Sequence, residues 1–492
     1  MPLLDYDSCT RALEARDPRF DGVFFVGIRS TGIYCRPICP ARTTLRKNRR
    51  FFASAAAAER AGFRPCLRCR PELAPGLARV DAVPRLVQSA AARIAAGAMN
   101  GRDVETLAHE LGVTARHLRR AMQTELGVTP IQLAQTHRLL HAKHLLTDTR
   151  LPVAQVAYSS GFQSVRRLNA LFRARYDLNP QSLRRRGQPQ RPRSLAKFTT
   201  RSASDEGVVM TSPDDTRLTL SYRPPIDWAA LLGFLAARAT PGVEIVEDGV
   251  YSRTVMIDDH TGMLRVSHDA AAIRVDVSPS LVPVLMQVCA RVRHLFDLDA
   301  EPDRIDSHLS SAFGRKLRRG VRVPGAFDGF ELAVRAILGQ QVSVRGATTL
   351  MARLVASLGS RVEGRGSLDL VAPSAERVAA AKVAEIQAIG LPGARAATIH
   401  GLATAIARGE LTISPDADVR EMTRRMLDLP GIGPWTAEYV AMRAAHWPDA
   451  FPSSDLVLRR NAGNLTAAQL ERASEKWRPW RAYAAMHLWL ND

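Results

Sequence analysis

Between residues 84 and 186 the hydrophobic positions recur every three or four residues, the period of helices with one buried face. In VETLAHELGVTARHLRRAMQTELG, Val104, Leu107, Ala108 and Leu111 form one apolar stripe, Gly112 turns the chain, and a second helix starts near Thr114. A long amphipathic segment, PIQLAQTHRLLHAKHLLTD, follows. LPVAQVAYSSGFQSVRRLNALFRARYDLNP then repeats the helix-turn-helix plan with Gly161 at the turn. Residues 187–207 break the periodicity, because Arg, Pro, Gln and Ser dominate and apolar residues almost vanish, as in a flexible linker.

Past the linker the period changes. TRLTLSY, VYSRTVMI, GMLRVSH and AIRVDVS read as strands and WAALLGFLAARA as a helix, so residues 208–295 predict a small mixed subdomain. From LVPVLMQVCARVRHLFDL onward the chain reads as mostly helical, and 296–492 are expected to form the last domain. Within it LDLPGIGPWTAEYVAMRA ends one helix and starts another around Gly431 and Gly433. The two glycines permit a tight hairpin whose backbone N–H groups face a DNA phosphate. With residues 1–78 as a small α+β unit, the expected architecture is multidomain: a metal domain, an all-α double helix-turn-helix domain over 84–186, a linker, a small β-rich subdomain and a helix-hairpin-helix domain.

Charge sharpens this picture. Of 492 residues with net charge +20, residues 1–200 hold 34 Lys and Arg against 14 Asp and Glu, and the remainder 34 against 34. All the basic excess sits at the front, as expected of a nucleic-acid-binding half joined to a neutral globular one. There are six cysteines. Cys9 and Cys289 are too isolated for a disulfide framework, so the expected compartment is reducing and cytoplasmic. The start lacks a basic flank followed by an apolar core, and no apolar run reaches eighteen, so neither a signal peptide nor a membrane span is expected.

The other four cysteines form C-x3-C and C-x2-C pairs, Cys35 with Cys39 and Cys66 with Cys69, separated by 26 residues. Two thiolate pairs at this spacing suit a tetrahedral zinc site. A closed four-thiolate shell usually only supports a fold. Here arginine-rich flanks surround it, RSTGIYCRPICPARTTLRKNRR and FRPCLRCR, and a Zn(Cys)4 centre of formal charge −2 keeps its thiolates nucleophilic. FFVGIRSTGIYCRPIC and AGFRPCLRC resemble the methyl-acceptor domain of the Ada family over residues 1–75. The resemblance implies that Cys35 accepts a methyl group from a DNA methylphosphotriester, with Cys39, Cys66 and Cys69 as co-ligands of zinc.

The duplicated helix-turn-helix resembles the AraC-type DNA-binding domain. On that resemblance the recognition helices begin near Thr114 and Gln163. Arg116, His117, Arg119 and Arg120, and Gln163, Ser164, Arg166 and Arg167, become the candidates for groove or phosphate contacts.

Asp455, in FPSSDLVLRR, follows Gly433 by twenty-two residues near a predicted helix start. There Ser453 and Ser454 are expected to cap the helix and leave the carboxylate free. PPIDWAALLGFLAARA, VRAILGQQVSV, LPGIGPWTAEY and WRPWRAYAAMHLWL resemble the helix-hairpin-helix glycosylases of the 3-methyladenine glycosylase II (AlkA) type. That implies Asp455 as the essential carboxylate, Trp435, Tyr439 and Trp489 in the base pocket, and Gln340, Gln341, Gly431 and Gly433 at the DNA. Trp435 stands where lyase relatives carry a lysine, so simple hydrolysis is expected. No cysteine follows Cys289, so the iron–sulfur site of some relatives is not expected. Gln341 replaces a leucine wedge, and a polar amide fills a vacated base stack less well. The second acceptor domain of full-length Ada, with its Pro-Cys-His-Arg motif, is absent from the sequence given, so repair of oxygen-alkylated guanine is not expected.

The expected whole is an alkylation sensor and transcriptional regulator fused to a monofunctional glycosylase. Zinc is its cofactor, and double-stranded DNA (alkylated DNA and operators) and RNA polymerase are its partners. Two other classes stay open: a regulator with an inactive glycosylase half, and a glycosylase whose front half only tethers it to DNA. The linker leads one to expect a glycosylase half able to work alone.

Overall fold

The computed structural model describes residues 5–42, 44–76, 85–187, 212–269 and 272–490. The expected linker lies, apart from Gly187, outside the described residues.

The front module is an α+β unit built on a four-stranded sheet in the order Arg49–Phe52, Phe25–Ile28, Ile33–Cys35, Arg64–Pro65. Its first three strands are antiparallel, and the last pairs in parallel with Ile33–Cys35. The apolar run Phe25–Ile28 is buried on both faces. Gly27 is required there, since a Cβ would stand 2.8 Å from the Phe52 ring and 2.9 Å from that of Phe63. The parallel register sets Tyr34 opposite Pro65, and the Cys66 N–H donates to the Tyr34 carbonyl at 3.0 Å. Two strand ends thus deliver one cysteine of each pair side by side.

Seven helices follow between Arg85 and Gly187. Gly112 (φ +67°) and Gly161 (φ +77°) take the left-handed conformation at the two turns, as the sequence requires. The recognition helices are Ala115–Leu126, capped by Thr114, and Val165–Tyr176, capped by Ser164, one residue later than expected. The helix Pro130–Asp148 departs further from expectation. It is buried nearly all round rather than on one stripe. Leu133 and Ala134 join the core of the first helix-turn-helix, while Leu139, Leu145 and Leu146 join a second core that continues into the following half. On its remaining face Thr136 and Lys143 bond to Glu59 and Glu72 of the front module.

The back half starts with an antiparallel five-stranded sheet in the order Thr216–Leu220, Ala272–Val277, His260–Asp269, Val250–Ile257, Glu244–Glu247. Helix Trp228–Ala236 accompanies it. Helices predominate afterwards, interrupted by an unexpected hairpin of Ser360–Arg365 and Leu368–Val371. A large core gathers the helices from Pro302 to Leu490.

The two halves are not independently packed. Val156, Ala157, Phe172 and Leu183 share one continuous core with Leu218, Leu220, Leu281 and Val284. The expected linker therefore does not join two separately packed bodies, because apolar faces that would be exposed in either half alone are buried against the other. No helix of the described residues is long and apolar enough to cross a membrane.

Candidate metal centre and candidate active site

The Sγ atoms of Cys35, Cys39, Cys66 and Cys69 lie within 4.8 Å of one another. Four convergent sulfurs at this separation fit zinc, whose Zn–S bonds of about 2.3 Å place tetrahedral sulfurs under about 4 Å apart. Backbone N–H groups support the thiolates, from Arg36 to Cys69 Sγ at 3.3 Å and from Arg68 to Cys66 Sγ at 3.4 Å. Arg36 does more. Its buried guanidinium pairs with the Asp21 carboxylate (Nε to Oδ1 2.8 Å) and donates to the Cys69 carbonyl at 3.1 Å. A cavity of about 450 Å³ adjoins the centre, lined by Cys35, Cys39 and Cys66 on one side and by Lys143, Phe172 and Tyr176 on the other.

Beside Cys35, Tyr34 is fully buried and donates to Glu59 at 3.1 Å. Thr136 and Tyr176 also donate to that carboxylate, at 2.9 and 3.2 Å. Burial outweighs these donors and pushes the Glu59 carboxyl up to about 7. Tyr176 closes helix Val165–Tyr176, so the network joins the metal module to the second helix-turn-helix unit. Nothing in the sequence marks Glu59, because its partners lie 25, 77 and 117 residues away.

On the recognition helices Arg116, His117, Arg119 and Arg120 are exposed, as are Gln163, Arg166 and Arg167, while Leu118 and Leu168 anchor the opposite faces. Arg119 is partnered by Glu105 at 2.6 Å. The Ser164 hydroxyl is spent as a cap on Arg167 N–H at 3.2 Å.

In the back half, Asp455 is itself the N-cap of helix Leu456–Asn461. This corrects the assignment of capping to Ser453 and Ser454. The same carboxylate does both jobs: Oδ1 accepts from the N–H groups of Val457 and Leu458 at 3.0 Å each, while Oδ2 accepts from Trp435 Nε1 at 2.9 Å. Trp489 Nε1 also donates to Oδ1 at 3.2 Å. The three expected aromatics meet around it. Trp435 stacks on Tyr439 (centroids 5.3 Å, 11° between planes), and Trp489 stands edge-on to Tyr439 at 6.2 Å.

Three pocket residues had gone unnoticed. Phe234 lies 6.2 Å from Trp489, Arg238 covers Phe234 at 3.7 Å, and Arg443 donates to the Tyr439 hydroxyl at 2.8 Å. Burial alone would raise the Tyr439 phenol, yet Arg443 and Arg238 outweigh it and leave it below the usual tyrosine value. Arg443 was findable, being four residues from Tyr439 on one helix face. Phe234 and Arg238 were not, being brought in from far along the chain.

At the hairpin Gly431 takes φ +87° against Thr398, where a Cβ would meet Oγ1 at 2.1 Å. Gly433 caps helix Pro434–Arg443 with φ −101°, so only the first glycine needs the left-handed conformation. Gln340 donates to the Gly431 carbonyl at 3.1 Å and to Thr436 at 2.9 Å, bracing the hairpin. Gln341 stands exposed at φ +57° beside it.

Comparison with known proteins shows which families the modules resemble. Residues 8–72 match the family described as the metal binding domain of Ada, 107–186 a helix-turn-helix domain, 217–328 the AlkA N-terminal domain, and 334–478 the HhH-GPD superfamily of base excision DNA repair proteins. A probable bifunctional transcriptional activator/DNA repair enzyme AlkA of Mycobacterium tuberculosis is 39% identical over 496 residues, covering 99% of this chain and 96% of its own. DNA-3-methyladenine glycosylase 2 of Escherichia coli is 37% identical over 278 residues, 56% of this chain and 97% of its own. The Ada activator/repair enzyme of Escherichia coli is 37% identical over 136 residues, 27% of this chain and 36% of its own.

Proposed function

The chain belongs to the family of bifunctional transcriptional activator/DNA repair enzymes of the AlkA type, and from that premise we propose how its residues divide the work. It is a regulator of the response to DNA alkylation fused to a DNA-3-methyladenine glycosylase, with zinc in its front module.

For the glycosylase, the observation that carries most weight is the divided carboxylate of Asp455. Two helix N–H groups fix its orientation, while Oδ2 faces the aromatic pocket. Departure of an alkylated base takes the glycosidic electron pair and leaves oxocarbenium character on the sugar, which a fixed carboxylate stabilises. Water then adds its oxygen to C1′ and gives up a proton. A cationic base, flipped from the stack, suits Trp435, Tyr439 and Trp489, whose π faces attract positive charge. The hairpin at Gly431 holds the DNA backbone through N–H groups at the start of its second helix. Trp435 in place of a lysine makes the product an intact abasic strand.

At the front module the Cys35 thiolate attacks the methyl carbon of a methylphosphotriester. The S–CH3 bond forms as the C–O bond breaks, and the phosphodiester leaves as an anion. Zinc, once bound, would keep the thiolates deprotonated and nucleophilic at neutral pH. Cys35, Cys39, Cys66 and Cys69 would hold it, and the basic flanks bind the phosphates. The exposed arginines of the two recognition helices bind operator DNA, and RNA polymerase is the further partner of the methylated form. Measuring free base released from methylated DNA tests the reading. Release of 3-methyladenine supports it, and none from a DNA-binding, folded chain would leave the regulator with an inactive glycosylase half.

A further inference from the structure

The back half reaches into the metal module through Arg223, whose side chain is only 2% exposed. Each part of its guanidinium donates to a main-chain carbonyl: Nε to Asp21 at 3.0 Å, Nη2 to Gly76 at 2.8 Å, and Nη1 to Asp299 at 2.7 Å. The first two acceptors belong to the metal module, the third to the back half. The seam around them is closely fitted. Gly76 N–H donates to Asp299 Oδ1 at 2.6 Å, and a Cβ on Gly76 would stand 2.9 Å from that oxygen. Gly22, at φ +78°, leaves no room either, since its Cβ would fall 2.1 Å from the Pro75 carbonyl and 3.2 Å from Arg223 Nη2. Ser221 donates to the Leu73 carbonyl, and Arg293 braces both Ser221 and Asp299 from behind.

Asp21 links this seam to the metal. Its carbonyl accepts from Arg223, while its carboxylate binds Arg36, and Arg36 bonds the carbonyl and, through its own N–H, the Sγ of Cys69. Arg223, Asp21 and Arg36 are 2%, 4% and 7% exposed, so water is not at hand to replace a lost partner. A buried guanidinium that loses its carboxylate alignment carries a desolvation cost, which couples the geometry at Asp21 to that at Cys69.

We infer that Arg223 is a positioning residue for the methyl-acceptor centre: the glycosylase half holds the Asp21 turn, Asp21 sets Arg36, and Arg36 orients the loop bearing Cys69. The donor set lies wholly in the front module, and the docked back half then tunes its geometry. This rests on the zinc reading above. It differs from a merely adhesive role for Arg223, which would loosen both halves without singling out the metal.

The test uses the full-length chain with Arg223→Met, loaded with zinc or with cobalt(II). Three readouts are taken: the rate of zinc release to a chelator, the cobalt–thiolate absorption spectrum, and base release from methylated DNA. Loss of a ligand's direct outer partner costs about 10- to 100-fold in metal affinity, and Arg223 acts on Cys69 through Asp21 and Arg36, so its loss should speed zinc release by up to about tenfold and shift the cobalt bands, with base release unchanged. Wild-type metal release and spectrum in a variant that still excises bases would overturn the inference. So would a parallel loss of metal and of base release, which marks plain destabilisation. Should Arg223→Met fail to fold, Arg223→Lys decides on the same readouts, since an ammonium keeps the charge but cannot serve three carbonyls in the guanidinium geometry. A wild-type chain that retains no zinc would remove the underlying zinc reading, and the inference with it, before any variant is made.

Discussion

Trp435 and Asp455 meet through a single hydrogen bond, indole Nε1 to carboxylate Oδ2 at 2.9 Å, so the ring stacked on Tyr439 also orients the carboxylate proposed to face the sugar. The other carboxylate oxygen accepts from the start of helix Leu456–Asn461 and from Trp489 Nε1 at 3.2 Å. In the proposed mechanism capping and catalysis therefore share one side chain. Asp455→Asn keeps the shape and one cap acceptor but removes the charge opposite the developing cation. Excision of 3-methyladenine should fall roughly 10²- to 10³-fold, about 3–4 kcal/mol. Single-turnover base release measures this, with DNA affinity as the control that should hold. Near-normal release by the variant would sink the assignment.

Trp435→Phe separates aiming from stacking. A ring remains against Tyr439, but the N–H donor to Asp455 is gone. A hydrogen bond to a charged group contributes about 1.5–3 kcal/mol, so base release should slow roughly 10- to 150-fold. Trp435→Ala, which also removes the stacking surface, should lose further and should weaken binding of DNA bearing the damaged base. If Phe performs like the wild type, the indole N–H has no role in aiming Asp455.

Glu59 predicts a pH dependence of stability. Its carboxyl, ordinarily near 4.5, is pushed up to about 7 by burial, against the opposing hydroxyl donors of Thr136, Tyr34 and Tyr176 and the nearby Arg175. A carboxyl with a raised folded value binds its proton more tightly when folded. Its contribution is present in full below about 4.5 and is lost as pH rises through about 7. Glu59→Gln cannot ionise. Relative to that variant, the wild type should lose on the order of 3 kcal/mol between pH 5 and pH 8. Urea midpoints of the two proteins across this range give the difference directly, and a difference flat in pH would remove Glu59 as the titrating group.

What was legible in the sequence was whatever depends on near neighbours. The glycine turns, the helix start at Thr114, the cysteine spacing and the PGIG hairpin are set within a few residues, and all appear where the pattern puts them. Helix Pro130–Asp148 shows the limit. Its period is helical, but the number of faces it buries depends on three modules packing around it, which no local window contains. Strand Glu244–Glu247 is half-buried along its length and hides its alternation. Asp455 stood out by the resemblance of its segment to the glycosylase motif. Its capping role was assigned instead to the two serines that precede it and offer the same chemistry. Arg223 illustrates the rest: three carbonyls from distant segments decide its role, and a sequence shows only an arginine before two prolines.

Methyl transfer should act as a charge switch at Cys35. Four thiolates around zinc give the centre a formal charge of −2, which opposes the phosphates that the surrounding arginines attract. Turning one thiolate into a thioether raises that charge to −1 while keeping the shape of the loop. One unit of charge close to the DNA can supply about 1–3 kcal/mol of coupling, or roughly five- to 150-fold tighter operator binding by the methylated chain. The effect should shrink as salt rises, because counterions screen the same interaction. Mass spectrometry after exposure to methylphosphotriester DNA should find one methyl, on Cys35. Operator titrations of both forms over a salt series then measure the gain. Equal affinities at every salt would exclude the switch, and a methyl found repeatedly on Cys39, Cys66 or Cys69 would move the acceptor. Removing zinc by chelation should abolish both the transfer and the difference between the two forms, since the thiolates then regain protons and lose their common geometry.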